Sequence, residues 1–261
     1  MPLRDVVKGL VAFEKGSIGV FKAFTLGTEA GPMLGDYARS VAASSSVSAA
    51  SDPFPSAETG SERAGRVMDV AVALAALLFF TPLMLLIALM VRLSGGPVFF
   101  RQTRVGRNGV PFTCLKFRTM HVDSDRLLRR VLAQDPAARA EWERDRKLRD
   151  DPRVIPMGRV LRKLSLDELP QLFNVLGGSM SIVGPRPIVQ AESFRYGRYF
   201  EAYCRVRPGI TGLWQISGRN ATTYRRRIAC DVAYVRSKSV ARDAQIMLRT
   251  IPAVCLARGA Y

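Results

Sequence analysis

Two adjacent carboxylates, Asp167 and Glu168, sit in the run LRKLSLDELPQL at residues 161–172, close behind Arg159, Arg162 and Lys163. An aspartate can attack phosphorus to give a mixed anhydride, and a neighbouring carboxylate can hold a divalent metal that neutralises phosphate charge. The pair also fits a purely structural pattern. Ser165-Leu166-Asp167-Glu168 matches the S-x-x-E capping box, and acids are favoured at a helix N-terminus. Lys116 and Arg118 share one face of a strand by two-residue alternation, which makes them either an anion clamp or a solvated strand face. Arg186 stands between two prolines in Gly184-Pro185-Arg186-Pro187, so its backbone is biased to an extended conformation and its planar fork suits phosphate. The same four residues read equally as a turn. The glycine-rich stretch PGITGLWQISGRN at residues 208–220 could bring backbone close to a nucleotide or simply bend the chain.

The inventory excludes several other chemistries. With His121 as the single histidine, no two-histidine metal site can be built, and a Ser-His-Asp or Cys-His machine would depend on that one residue. Cys114, Cys204, Cys230 and Cys255 show no C-x-x-C spacing, which argues for free thiols in a reducing compartment and a folded part facing the cytosol. Acid-base and nucleophilic work therefore falls to carboxylates. At 261 residues and 48% hydrophobic, the chain has enough material for one core and is not disordered throughout.

Local patterns indicate the elements that must position these groups. In residues 97–120 (PVFFRQTRVGRNGVPFTCLKFRTM), β-branched and aromatic runs flank Asn108-Gly109, which predicts a tight hairpin with positive φ at both turn positions. Residues 123–151 read as solvated helix broken at Asp135-Pro136. Around Ser165 the helical periodicity of residues 160–176 is interrupted, so two helices meet there, and Pro170 fits only the first turn of the second. Residues 232–256 contain an amphipathic helix, with Val240, Ile246, Met247, Ile251 and Val254 interleaved with Arg242 and Arg249, suited to core packing or to a bilayer interface.

Residues 70–91 carry no charge and reach roughly 33 Å as a straight helix, enough for a hydrocarbon core. Thr81-Pro82 interrupts the middle of this run, and no second apolar span follows, so the segment is either one spanning helix or a broken helix that enters and leaves by one face. The first 65 residues hold six Lys/Arg and seven Asp/Glu, so the rest of the chain, with 33 against 15, carries +18. The positive-inside rule then puts the C-terminal part in the cytoplasm. Residues 1–62 read as a mostly disordered leader without the layout of a signal peptide. Nucleic-acid binding could use the same positive charge, but it leaves the apolar run without a purpose, and no zinc-finger or RRM signature is present.

Five motifs in order resemble the bacterial sugar transferase family, the monotopic phosphoglycosyl transferases: Thr81-Pro82 in an apolar helix, KFRTM at 116–120, LRKLSLDELPQL at 161–172, GGSMSIVGPRP at 177–187 and RPGITGLWQISGRN at 207–220. The closing TIPAVCLARGAY looks like the exopolysaccharide-production type within that family. The resemblance spans residues 63–261. It implies an α/β fold, mostly α with a β-hairpin, in a monotopic membrane protein: a proline-broken re-entrant helix at 66–93 and a cytoplasmic catalytic part at 94–261, on the inner membrane. It further implies Asp167 as nucleophile, Glu168 and Asp167 at Mg²⁺, and Lys116, Arg118, Arg162 and Arg186 around phosphate. Asp231, in a D-x-x-Y pattern with Tyr234, is a further substrate-site candidate by the same resemblance. The implied reaction moves a hexose 1-phosphate from UDP-galactose or UDP-glucose to undecaprenyl phosphate, with UMP released. Its partners are the UDP-sugar, undecaprenyl phosphate and membrane lipids, with no nucleic acid and with room for a homo-oligomer. Two departures stand out. Thr81 replaces a common serine, and Thr222, Thr223, Tyr224, Arg225, Arg226 and Arg227 occupy a stretch that is commonly acidic or aromatic.

Overall fold

The computed structural model describes residues 59–145, 148–217 and 223–255. Most of the expected leader, together with Arg219, Asn220, Thr222 and the last residues of the closing motif, lies outside them.

Helix α1 (Thr59–Leu93) begins earlier than the expected start at Arg66 and contains Pro82 in its interior. Its buried residues, Asp69, Ala73, Met84, Ile87 and Val91, recur at helical spacing and face the rest of the chain on both sides of Pro82. On the outer side Leu74, Leu78, Phe79, Leu85, Leu86 and Leu89 are exposed. Proline cannot donate to the Leu78 carbonyl, and the Thr81 hydroxyl donates to the Leu77 carbonyl at 2.6 Å, a back-bond of the type that bends helices.

Strands β1 (Phe99–Val105) and β2 (Pro111–Phe117) pair antiparallel, Phe99 opposite Phe117 and Val105 opposite Pro111. The turn has φ of 57° at Asn108 and 73° at Gly109, as the Asn-Gly pair predicts. Next come α2 (Ser124–Gln134) and α3 (Pro136–Asp145), separated at Asp135, whose carboxylate accepts from the Ala137 and Ala138 amides at 2.8 and 3.0 Å. Helices α4 (Pro156–Lys163) and α5 (Gln171–Leu176) flank a 3-10 turn, Leu166–Glu168. Pro170 precedes α5 with φ −61°, at the boundary the sequence places it.

A second two-stranded sheet pairs β3 (Ser181–Val183) parallel to β4 (Gly209–Thr211). Around it lie α6 (Ser193–Tyr196), α7 (Phe200–Cys204), α8 (Leu213–Ile216), α9 (Tyr224–Ser237) and α10 (Val240–Cys255). The described chain is thus mostly helical with little sheet. Helix α10 bears out core packing for its region, with Ile246 buried, and leaves Leu248 and Ile251 exposed. The first half of α1 packs into a core with Val175, Ile182 and Ile246, and the second half into one with Phe117 and Leu161. Those two cores carry the strand and turn that hold the carboxylates.

Candidate active site

The end of α4 determines how the carboxylates are presented. Ser165 adopts a left-handed conformation (φ 57°) and its side chain caps nothing. The S-x-x-E capping box therefore does not form, because a left-handed residue cannot serve as the extended N-cap that the box requires. The chain instead closes a 3-10 turn, the Glu168 amide donating to the Ser165 carbonyl at 3.3 Å, and Asp167 is buried.

The two carboxylates meet Lys116. From β2 its ammonium lies 2.6 Å from Glu168 Oε1 and 3.5 Å from Asp167 Oδ2. Asn174 holds the two elements in this relation: its side-chain amide accepts from the Leu115 amide at 2.9 Å and donates to the Thr113 carbonyl at 2.7 Å, tying α5 to β2. Burial pushes the Asp167 carboxyl above the usual range, with Glu168 adding to the rise and Lys116 opposing it. For Glu168 burial also pushes upward, but Lys116 and Arg186 outweigh it and the carboxyl is held below its usual range. Environments that drive two neighbouring acids apart give them different work.

Arg162 and Arg186 join this group. Arg162 donates to Thr119 Oγ1 at 2.9 Å and acts electrostatically on Asp167. Arg186 acts on Glu168 and stacks over Trp214 with 5.6 Å to the ring centroid. The pattern had left Arg104 and Asn174 unmarked. Arg104 donates to the Pro187 carbonyl at 2.9 Å, fixing the loop that carries Arg186. Its sequence signal is its place on the strand face shared with Gln102, which accepts a further bond from it.

Two expected members bond to groups other than the carboxylates. Arg118 shares the face of Lys116 but follows the last strand residue. Its guanidinium donates to the carbonyls of Val91, Gly95, Pro97 and Met120 and to Ser94 Oγ. Arg118 lines the same cavity as the carboxylates, while the backbone acceptors left open where α1 ends engage its fork. Asp231 is buried on α9, where its Oδ2 accepts from the Tyr196 hydroxyl at 2.7 Å and burial pushes its carboxyl up to about 7. Tyr234 of the same pattern faces a different set, its hydroxyl lying 3.0 Å from the Val183 carbonyl and 2.8 Å from the Asp243 carboxyl. The glycines of the 208–220 loop also serve packing: a Cβ on Gly209 or Gly212 would overlap the Gly184 backbone, so they allow two chain segments to touch.

A cavity of about 1130 Å³ opens over the pair, lined by Lys116, Arg162, Asp167, Glu168 and Arg186 on the polar side and by Ala76 and Phe80 of α1 on another. Among the described residues no set of three acidic, histidine or cysteine side chains could enclose a metal. Asp167 and Glu168 can still supply the one or two carboxylates that Mg²⁺ needs when substrate phosphates and water complete its shell.

A sequence profile for the family described as Bacterial sugar transferase matches residues 61–257, which include all but the first two residues of α1 and every residue of the cavity. The chain is 51% identical over 220 residues to "Exopolysaccharide production protein ExoY" of Rhizobium meliloti (strain 1021), covering 82% of this chain and 97% of that one. It is 47% identical over 196 residues to "Undecaprenyl-phosphate galactose phosphotransferase" of Salmonella typhimurium (strain LT2), covering 75% of this chain and 41% of the relative. A third relative, "UDP-glucose:undecaprenyl-phosphate glucose-1-phosphate transferase" of Caulobacter vibrioides, is 43% identical over 205 residues, covering 75% and 71%. Fold, site and relatives together define an enzyme of the phosphoglycosyl transferase class. The chain belongs to the bacterial sugar transferase family.

Proposed function

We propose that this protein transfers a hexose 1-phosphate from a UDP-sugar to undecaprenyl phosphate, releasing UMP and starting exopolysaccharide assembly on the cytoplasmic face of the inner membrane. One observation carries the reading: the Asp167–Glu168 pair, bridged by Lys116, opens into a cavity whose wall includes the apolar helix α1. Such a site meets a soluble phosphorylated donor from one side and a membrane-borne phosphate from the other. Relatives named for galactose and for glucose support those two hexoses, and the greater identity with the galactose enzyme favours UDP-galactose.

In the first step a carboxylate oxygen of Asp167 attacks the phosphorus that bears the sugar. The bond from that phosphorus to the bridging oxygen breaks, and UMP leaves with the oxygen. In the second step an oxygen of the lipid phosphate attacks the same phosphorus, the bond to Asp167 breaks, and the carboxylate is restored as lipid diphosphosugar departs. Two displacements at one atom imply ping-pong kinetics. Lys116, Arg162 and Arg186 offset the phosphate charge and orient the donor. Mg²⁺ held by Glu168 and Asp167 would add further neutralisation of that charge.

The inward stripe of α1 supports a helix that enters and leaves the bilayer by one face. A perpendicular span would carry the chain packed against α1, including the polar contacts of Asp69 with Ser181 and of Arg118 with Val91, toward hydrocarbon, where polar and charged groups are costly. Helix α1 runs unbroken through Pro82 from Thr59 to Leu93, and Pro82 with the Thr81 back-bond marks where a bend in the bilayer would cost least.

The test mixes purified protein with Mg²⁺, vesicles containing undecaprenyl phosphate, and UDP-galactose or UDP-glucose, and measures UMP and the intact mass of the protein. Expected are UMP release and a phosphohexose adduct at Asp167, both lost in Asp167→Asn. No UMP from either donor would overturn the reading.

A further inference from the structure

Helix α1 is fastened at both ends to the elements that hold the site. Near its start Arg66 donates to the Val175 carbonyl at 2.7 Å and to the Leu176 carbonyl at 3.0 Å, closing the last turn of α5. One turn on, Asp69 Oδ1 accepts from Ser181 Oγ and from the Ile182 amide, each at 2.9 Å, at β3. Near its far end Arg118, two residues beyond Lys116, holds the carbonyls of Val91 and Gly95 together with Ser94 Oγ. Asp69 and Arg118 are both buried, and bonds to charged groups in such places are short and directional. Between the fastenings Ala76 and Phe80 form part of the cavity wall.

We infer that Arg66, Asp69 and Arg118 are positioning residues that fix the lipid-facing helix against the carboxylates, so that a bilayer-borne acceptor phosphate meets the phosphorus carried by Asp167. This rests on the proposed two-step transfer and assigns residues to its second step. The donor phosphates meet Lys116, Arg162, Asp167, Glu168 and Arg186, which belong to one packed frame. The acceptor phosphate is located by the bilayer, hence by α1. A shift between α1 and α5 therefore leaves the first step intact and misaligns the second, and misplacement by about 1 Å can cost on the order of 100-fold in rate.

The experiment uses the full chain in phosphatidylethanolamine–phosphatidylglycerol vesicles, with and without undecaprenyl phosphate, comparing wild type with Arg66→Ala, Asp69→Asn and Arg66→Lys. Without acceptor, the UMP burst from UDP-galactose or UDP-glucose should stay within about twofold of wild type in all three, while transfer to lipid falls at least about tenfold in the first two. Arg66→Lys, which keeps the charge and a donor group but loses the planar fork, should recover part of that loss. Equal loss in both steps overturns the inference, and a variant that fails to fold counts as such a loss; unchanged lipid transfer overturns it as well. Hydrogen exchange of the 171–183 amides gives a readout independent of catalysis. It should quicken in Arg66→Ala and Asp69→Asn, and unchanged exchange would overturn the inference even if wild type proved silent on both donors.

Discussion

Lys116 on the second hairpin strand and Glu168 in the 3-10 turn form a 2.6 Å ion pair that also brings the ammonium to 3.5 Å from Asp167. One cation thus serves two acids whose protonation is displaced in opposite directions, Asp167 upward and Glu168 downward. Lys116 favours the ionised form of both acids, holding Glu168 low and opposing the burial that raises Asp167.

Removing that cation should move the acid limb of the rate profile. In Lys116→Met the Asp167 carboxyl loses its strongest opposing influence and rises further, so activity should require higher pH. Loss of a fixed positive charge at the reacting phosphate should also lower kcat by at least about 100-fold. A pH series of UMP release checks both; an unshifted acid limb would refute the coupling.

The two carboxylates should respond oppositely to neutralisation. A folded-state pKa raised by burial means that ionised Asp167 disfavours the fold at neutral pH, so Asp167→Asn should match or exceed wild type in Tm. The lowered pKa of Glu168 contributes stability above the unfolded carboxylate value, lost as pH falls through the folded one. Glu168→Gln should therefore lose about 1–3 kcal/mol at pH 7, measured by denaturant unfolding.

Asp231 gives a separate signature. With its carboxyl pushed up to about 7, the folded state holds a proton that the unfolded chain has already released between about pH 4 and 7. In that window its contribution to stability falls by about 1.4 kcal/mol per pH unit as pH rises. Asp231→Asn should flatten this part of the stability curve, and an identical slope in the variant would argue against a buried, protonated Asp231.

Gly209→Ala should be strongly destabilising. The added Cβ would meet the backbone of Val183 and Gly184, which cannot rotate away as a side chain can. A loss of at least about 1–3 kcal/mol is expected, with the β3–β4 pairing and the adjacent Arg186 loop loosened. Calorimetry of the variant measures it.

Topology is accessible by labelling. In a chain with its native cysteines replaced, Ser61→Cys before the apolar run and Asp125→Cys after it should react with an impermeant maleimide from the same side of sealed vesicles. Labelling from opposite sides would establish a spanning helix.

The sequence by itself determined the features that depend on near neighbours. Asn108-Gly109 specifies its own positive φ angles, Asp135-Pro136 ends one helix and caps the next, and the uncharged run at 70–91 identifies a helix long and apolar enough to cross a membrane. The adjacent acids were legible as candidates, and so was the family. Only the tertiary structure decided which cation serves them, because Lys116 and Arg118 look alike along the chain. Folding sends the first to Glu168, 52 residues away, and the second to the open carbonyls at the end of α1. It likewise turned Ser165 from a cap into a left-handed hinge, sent Asp231 to Tyr196, and set Arg66 on a carbonyl 109 residues distant. Turns and helix breaks are written in local backbone sterics, whereas the partner of a buried charge is whichever group packing leaves within reach.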